Sequence, residues 1–260
     1  IDYDWIDIED DNVTLEFDTN DGGAIIDLGF NFPFYSSSYG LCVAMSNGWI
    51  AFDGTSEEWS NGSIFDDDSP RAAILAFWDD LNPVNNENEF GSGYVRYNAN
   101  SQRVVIWYDH VIHWTDVERI YDFQVVLYSS GKIDFNYREM QGTTGSATVG
   151  IIDGDGDYGL EVIYNVDDFI QDEMTVSFDT APDWLQITPE DYTGEILSGE
   201  SETYNLIVNS IDITNGSYTA YVVVNTNATV GSIFIPVNMN VGELILGDIN
   251  QDGLFNVLDV

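Results

Sequence analysis

Oxygen donors recur at short, regular intervals in residues 248–259. Side-chain oxygens stand at positions 1, 3, 5, 9 and 12 of this segment, and a glycine stands at position 6. This spacing allows a short loop to fold around one hard cation, because the glycine permits a sharp turn and the carbonyl of the seventh residue adds a ligand. The alternative is a solvated acidic tail. The segment predicts a calcium site with the ligands Asp248, Asn250, Asp252, Leu254, Asn256 and Asp259.

Two further groups of carboxylates have the composition of a cation site, and each has a simpler interpretation. Asp153, Asp155 and Asp157 alternate with glycines between two predicted strands, so they form either a calcium loop or a glycine-rich hairpin turn. Asp79 and Asp80 follow a strongly apolar predicted strand. They either cap the following turn or contribute to a cation site.

Several tryptophans could form a stacking platform for sugars. Large aromatic residues in alternating strands more often belong to the core. Trp59 and Trp114 are the best candidates for a glycan-binding surface, because polar residues flank both of them in predicted loops.

The histidines give little support to catalysis. The sequence contains only His110 and His113. A spacing of three on an extended strand points two side chains to opposite faces, which does not suit a shared metal ion. No Gly-x-Ser-x-Gly motif is present. A paired-carboxylate glycosidase site depends on geometry rather than on counts, but we expect a protein that is not an enzyme.

Charge restricts the partners of the chain. Its 46 acidic and 6 basic residues give a formal net charge of −40. Nucleic acid and anionic membrane surfaces are therefore unsuitable partners, because both attract clustered Lys and Arg. No apolar run approaches the roughly 20 residues of a membrane-spanning helix. The single cysteine, Cys42, lies in an apolar run and is expected to be buried, so no disulfide within the chain can form.

Strand patterns dominate the elements that would position these residues. Short runs rich in Val, Ile, Tyr, Phe and Trp alternate with clusters of Gly, Asn, Asp and Ser, which is typical of an antiparallel all-β protein. In residues 121–128 apolar residues alternate with others, so one face is expected in the core and the other in solvent. This pattern predicts a β-sandwich with strands at 13–17, 24–29, 41–45, 49–52, 73–78, 94–97, 104–109, 121–128, 132–137, 147–152, 160–164 and 174–178.

The strand pattern restarts near residue 181. Pro182 marks this boundary, because proline cannot donate a hydrogen bond to a central strand ladder. Runs at 184–187, 203–208, 218–224 and 233–239 then have the spacing of a small immunoglobulin-like sandwich. The sequence thus predicts a large β-sandwich at 1–180, a small immunoglobulin-like domain at 181–242 and a calcium-loop segment at 243–260.

Three separated motifs carry a family resemblance. They are Leu-Gly-Phe-Asn-Phe-Pro-Phe-Tyr at 28–35, Ser-Asn-Gly-Trp-Ile-Ala-Phe at 46–52 and Ala-Phe-Trp-Asp-Asp-Leu-Asn-Pro at 76–83. Together with Gly-Tyr-Val-Arg-Tyr at 93–97, they resemble the nidogen-like β-modules of secreted bacterial multidomain proteins. The resemblance covers about residues 3–178 and implies an extracellular or cell-surface location.

The remaining residues resemble other parts of such proteins. Residues 182–220 are similar to the immunoglobulin-like repeats that act as spacers behind these modules, often next to a secreted peptidase domain. Residues 248–259 resemble the first calcium loop of a dockerin, with Asp259 in place of the usual Glu. The chain lacks an initial Met and stops one residue after this loop, so we interpret it as a piece of a larger protein.

These observations predict a non-catalytic extracellular structural or adhesive module stabilised by calcium. Its partner is either another protein or a second copy, in the latter case in a cell-surface filament. The alternative is a carbohydrate-binding or accessory domain of a secreted hydrolase, with a glycan as the ligand.

Overall fold

The computed structural model describes residues 3–54, 58–84, 93–179, 182, 184–188, 196–211, 213–224 and 233–242. These residues contain no helix, and their paired strands are antiparallel, which confirms the predicted all-β class. Accordingly, no described segment forms a helix of the length and apolarity needed to cross a membrane. The chain divides into two compact units, Ile1–Thr180 and Ala181–Val260.

The first unit contains two sheets. The larger, called here the first sheet, has the order β1-β7-β8-β9-β10-β13, with β6 also paired to β8. Its strands are β1 (Val13–Thr14), β6 (Leu81–Asn82), β7 (Tyr94–Ala99), β8 (Arg103–His113), β9 (Asp116–Tyr128), β10 (Ile133–Gln141) and β13 (Met174–Phe178).

The second sheet has six strands in the order β12-β11-β5-β4-β3-β2. Strands β4 and β5, which carry parts of the motifs at 46–52 and 76–83, lie in the middle of this sheet and pair with a neighbour on each side, whereas β2, which carries most of the motif at 28–35, lies at the edge. The strands are β2 (Gly23–Phe34), β3 (Ser37–Met45), β4 (Trp49–Ala51), β5 (Ala73–Trp78), β11 (Thr148–Ile152) and β12 (Gly159–Tyr164).

The main core contains residues from both sheets, as expected for a β-sandwich. The rings of Tyr108 and Phe123 stack with centroids 4.6 Å apart. Two buried tyrosines also join the sheets: the hydroxyl of Tyr137 donates to the carbonyl of Ala76 at 2.7 Å, and that of Tyr108 donates to the carbonyl of Met45 at 2.6 Å. The interior is therefore filled with aromatic side chains held in place by hydrogen bonds.

The outer face of the first sheet is covered by residues 3–12, called here the N-terminal segment. Trp5 and Ile8 of this segment pack with Trp107 and Val126. The side-chain amide of Gln124 exchanges two hydrogen bonds of 3.1 Å with the backbone of Ile6. The expectation that β9 has a solvent-facing side is therefore wrong, because residues 121–127 are buried on both faces.

Residues 58–72 cover part of the outer face of the second sheet. Ile64 from this loop packs with Trp49 and Trp78 in a second hydrophobic cluster. The guanidinium of Arg71 fastens the loop by donating to four backbone carbonyls, the shortest bond being 2.8 Å to Ser69.

The second unit contains two antiparallel pairs in its described residues. Trp184, Leu185 and Met239 form its small buried cluster. The strands are β14 (Leu185–Thr188), β15 (Asn205–Val208), β16 (Gly216–Val224) and β17 (Ile233–Val241), close to the four predicted runs. Assignment to the immunoglobulin-like class stays a prediction.

Candidate functional site

Asp79 lies at the end of β5, between the two sheets. The residue is buried, with 4% of its surface exposed. One carboxylate oxygen accepts from the backbone N–H of Asp80 at 2.9 Å, and the other accepts from the hydroxyl of Ser146 at 2.7 Å. The Nε2 atom of His113 lies 3.5 Å from the first oxygen. Both carboxylate oxygens of Asp79 therefore have hydrogen-bond donors, and its role as a cap of the following turn stays a prediction.

The tautomer of His113 follows from the hydrogen bond that its Nδ1 atom accepts. Nδ1 lies 3.1 Å from the backbone N–H of Thr115, and that group can only donate. In a neutral ring the proton is therefore on Nε2, which lies 3.5 Å from Oδ1 of Asp79. His113 therefore lies beside the Asp79 carboxylate, a contact that the spacing of the two histidines did not predict.

Asn47 connects two of the family motifs. Its side-chain amide donates to Asp21 at 3.0 Å, and its side-chain oxygen accepts from the backbone N–H of Leu81 at 3.0 Å. The backbone N–H of Asp79 donates to the Asn47 carbonyl at 3.3 Å. The motif at 46–52 is thereby fixed to the motif at 76–83, and Asp21 joins the carboxylates at this end of β5.

Asp80 is the carboxylate with the clearest electrostatic perturbation in this group. Its pKa is raised from the ordinary 3.8 to about 6, mainly by burial; the charge of His113 opposes the shift, and the charges of Asp21 and Asp79 add to it. A carboxylate next to two others is a position where a cation would relieve repulsion. Within the described residues these carboxylates do not form a group with ligand atoms as close as those at Asp109, so the cation site at Asp79 and Asp80 stays a prediction.

We expect Asp80→Asn to stabilise the protein at pH 7 in the presence of a chelator. Because folding raises the pKa of Asp80, the ionised group disfavours the folded state above about pH 6. This penalty decreases as pH falls from about 6 to about 4, and below that range the group is protonated in both states. The gain in melting temperature should therefore be present at pH 7 and absent near pH 4.

The exposed Asp67 provides the control for this prediction, since Asp67→Asn should change the midpoint equally little at both pH values. A lower midpoint of Asp80→Asn at pH 7 without divalent cations would contradict the assignment.

A second cluster lies on the outer face of the first sheet. Among the described residues, one group of potential metal ligands has its ligand atoms all within 4.8 Å of one another, namely Asp109, His110 and Asp122. Asp122 is 1% exposed and accepts hydrogen bonds of 2.7 Å from the indole of Trp107 and from Nε of Arg138. Burial raises the pKa of Asp122, and these two hydrogen bonds oppose the shift.

Arginines already neutralise this cluster. Asp109 pairs with Arg96 at 2.9 Å and with Nδ1 of His110 at 2.7 Å, while Asp122 pairs with Arg138. A divalent ion would have to compete with both guanidinium groups. We therefore interpret the cluster as an ion-pair network.

Trp5 of the N-terminal segment packs against this ion-pair network. Trp5 meets Trp107 edge to face at 5.9 Å. The guanidinium of Arg138 lies 4.4 Å from the centre of the Trp5 ring and 5.0 Å from that of Trp107. Arg138 thus contributes a cation–π contact as well as an ion pair.

The three carboxylates of the predicted loop at 153–157 differ in burial. Asp153 is nearly buried, and one of its oxygens accepts from the backbone N–H groups of Gly156 at 2.8 Å and Tyr158 at 3.1 Å. Asp155 and Asp157 are exposed, and within the described residues the three carboxylates do not form a group like that at Asp109. This geometry favours the hairpin-turn interpretation, and calcium binding here stays a prediction.

The two aromatic candidates are exposed. Trp59 is 53% exposed and Trp114 is 49% exposed, as expected of loop residues. Trp59 lies in the loop over the second sheet, and Trp114 lies in the turn between β8 and β9. Neither ring forms an aromatic pair with the other in the described part of the chain.

The predicted calcium loop lies outside the described residues. This applies to all six of its ligands, which are Asp248, Asn250, Asp252, Leu254, Asn256 and Asp259.

The fold and these clusters define an antiparallel β-sandwich module. Residues of its sequence motifs, such as Asn47 and Leu81, form buried hydrogen bonds with one another. A family model described as NIDO related matches residues 2–191. The chain belongs to this NIDO-related family, which confirms the resemblance to nidogen-like modules and indicates an extracellular module. Searches of curated proteins and of solved structures found no match.

Proposed function

We propose that the chain is a non-catalytic structural or adhesive module of an extracellular protein, stiffened by calcium. The single observation that carries the extracellular-module part of this proposal is the NIDO-related match over residues 2–191. Buried carboxylates in that sandwich are engaged in structural contacts: Asp79 accepts from the backbone N–H of Asp80, and Asp122 accepts from Arg138.

Two features of the sequence support calcium binding: its net negative charge and the spacing of oxygen donors in residues 248–259. The net charge of −40 favours cations as partners and disfavours nucleic acid and anionic membranes. The donor spacing of residues 248–259 fits a calcium loop of the dockerin type, and Asp80 offers an incompletely neutralised carboxylate within the sandwich.

Association with a protein partner or a second copy is supported by the edge of the second sheet. β2 is 12 residues long and pairs only with β3 in the described structure. Ile25 on this strand is 72% exposed, and Leu41 on β3 is 54% exposed. A long edge strand with an exposed apolar side chain at Ile25 is suited to strand addition, which would allow filament formation at a cell surface. In this arrangement residues 181–242 act as an immunoglobulin-like spacer.

A second candidate function is carbohydrate binding, alone or as an accessory domain of a secreted hydrolase such as a peptidase. The exposure of Trp59 and Trp114 favours it, since exposed indole rings stack on sugar rings.

Calcium should raise the melting temperature of the purified chain. Extracellular modules of this kind bind calcium with Kd of about 10⁻⁴ to 10⁻³ M. At about 10 mM calcium, mass action then stabilises the folded state by about 1.4–2.7 kcal/mol, which corresponds to a rise of several degrees. The measurement is a thermal melt in calcium chloride compared with chelator.

Ionic strength must be matched with sodium chloride, because salt alone also screens repulsion between carboxylates. Asp252→Asn should lose the effect if the C-terminal loop is the site, and Asp80→Asn should lose it if the sandwich is the site. Equal midpoints of the wild-type chain in calcium and in sodium would contradict the calcium proposal.

A further inference from the structure

The outer edge of β2 offers a short run of regular backbone to a further strand. Among the described residues β2 pairs with β3 on one side only. The regular pairing covers residues 23–27, and a register shift interrupts it before Phe32. Gly29 inside the interruption has a φ of +74°, and Pro33, which has no N–H to donate, follows it. Strand addition is therefore confined to residues 23–27.

The direction of the backbone groups in this run follows from the pairing with β3. The N–H of Ser46 donates to the carbonyl of Gly22 at 2.9 Å, directly before the first pair of the ladder. Hydrogen-bonded and non-hydrogen-bonded pairs alternate along antiparallel strands. Gly23, Ile25 and Asp27 therefore direct their N–H and C=O groups away from β3. All three residues are exposed, so these groups are accessible to a new strand.

The side chains of this run suit a second copy of the same strand. Ile25 is 72% exposed and stands opposite Val43, which is partly buried on the outer face of the second sheet. When two copies of β2 pair antiparallel with Ile25 opposite Ile25, the Val43 and Ile25 side chains of both copies form one apolar row. Cross-strand pairs of this kind are a main stabilising contact of sheets.

Charge selects this register over its neighbours. With Ile25 at the centre, Asp27 of one copy stands opposite Gly23 of the other. The two Asp27 residues then lie about 13 Å apart along the strands, beyond the Debye length of about 8 Å at physiological salt. A shift by two residues places Asp27 opposite either Asp21 or Ile25, and a shift by four places Asp27 opposite itself. Like charges directly opposite each other destabilise a sheet.

We infer that β2 pairs antiparallel with β2 of a second copy, centred on Ile25, and joins the second sheets of the two copies into one. The inference rests on the association that the proposed function assigns to this edge, and it names a second copy as the partner. The same patch contributes from both copies, so the interface closes as a dimer. A cell-surface filament would need an additional contact.

Sedimentation equilibrium of the full chain from micromolar to millimolar concentration measures this association. Each copy carries a net charge of −40, so repulsion opposes the dimer at low ionic strength. The fraction of dimer should therefore rise with protein concentration, and at a fixed concentration it should rise between about 0.05 and about 0.5 M sodium chloride.

Ile25→Asp places two carboxylates opposite each other at the centre of the interface. It should weaken the dimer at least about tenfold. Val117→Asp is the matched control, because Val117 is 44% exposed on β9 of the first sheet, and it should leave the dissociation constant unchanged. Thermal melts of both variants establish that they fold.

Cysteine cross-linking tests the register. Ile25→Cys places two thiols opposite each other with Cα atoms about 5.5 Å apart, which is within the range of a disulfide. Asp27→Cys lies on the same strand and is also exposed, but its two copies are about 13 Å apart. Native Cys42 is 1% exposed and does not compete. Mild oxidation should give a covalent dimer of Ile25→Cys and not of Asp27→Cys.

Three results would overturn the inference: a monomer at every concentration and salt, a dimer that Ile25→Asp leaves intact, or equal cross-linking of the two cysteine variants. A monomer that calcium still stabilises overturns this inference alone and leaves the structural module in place. A dimer that calcium does not stabilise supports the inference and contradicts the calcium proposal.

Discussion

Asp122→Ala is expected to lower the free energy of unfolding by about 3 kcal/mol. The substitution removes the partner of Arg138 and the acceptor of the Trp107 indole, both at 2.7 Å in the folded protein. Asp122 is 1% exposed, so water cannot replace it readily. The side chain of Arg138 is 36% exposed, which places the loss at the lower end of the range for broken buried pairs.

Urea unfolding followed by tryptophan fluorescence measures this loss, and Trp107 itself reports on the site. Asp116→Ala is the control, because Asp116 pairs with Arg119 at 3.6 Å and is 49% exposed. Such a surface pair contributes roughly 0–1 kcal/mol. If both variants lose similarly little free energy of unfolding, the ion-pair network at Asp122 does not stabilise the fold.

Gly48→Ala is expected to lower the free energy of unfolding by at least about 3 kcal/mol. Gly48 has a φ of +80°, and an added Cβ would lie 2.1 Å from the carbonyl oxygen of Phe77. That oxygen belongs to the backbone of the central strand β5, so it cannot move aside without disturbing the ladder. The turn that positions Asn47 would be displaced as well.

Gly54→Ala separates backbone strain from the clash. Gly54 has a similar φ of +88°, but an added Cβ would meet nothing within 4 Å. It should therefore cost only the strain of a left-handed alanine, about 1 kcal/mol. The difference between the two variants in urea measures the contact with Phe77, and equal losses would disprove it.

Strand positions in the sandwich were predictable, because hydrophobic runs and turn residues are local signals. The hairpin at Ser129-Ser130-Gly131-Lys132 is an example, since Gly131 adopts the positive φ of +96° that the turn requires. Cys42 is 1% exposed, as its apolar neighbours predicted. The two-residue strand β6 was missed because so short a run carries no periodicity.

Coverage of the outer faces was not predictable from local patterns. Asp122 and Gln124 occupy the polar positions of an alternating strand, which is the pattern of a solvent-facing side. The N-terminal segment, more than a hundred residues away in sequence, buries them. The sequence feature that indicates this coverage is the apolar run at Trp5, Ile6 and Ile8, which lies outside any strand.

The polar cluster at the end of β5 was predicted only in part. Asp79 and Asp80 were identified from their position after an apolar strand, and the structure adds Asp21, Asn47 and His113. These residues come from distant segments, so no local spacing relates them. Pairing of the strands brings them together.

Calcium binding is the central claim, and equilibrium dialysis of the full chain tests it most directly. The measurement counts calcium bound per chain against free calcium in about 0.15 M sodium chloride, where long-range attraction to the acidic surface is screened. The account predicts at least one saturable site with Kd of about 10⁻⁴ to 10⁻³ M that is weakened by Asp252→Asn or by Asp80→Asn. Binding that rises without saturation and is unchanged in both variants would contradict it.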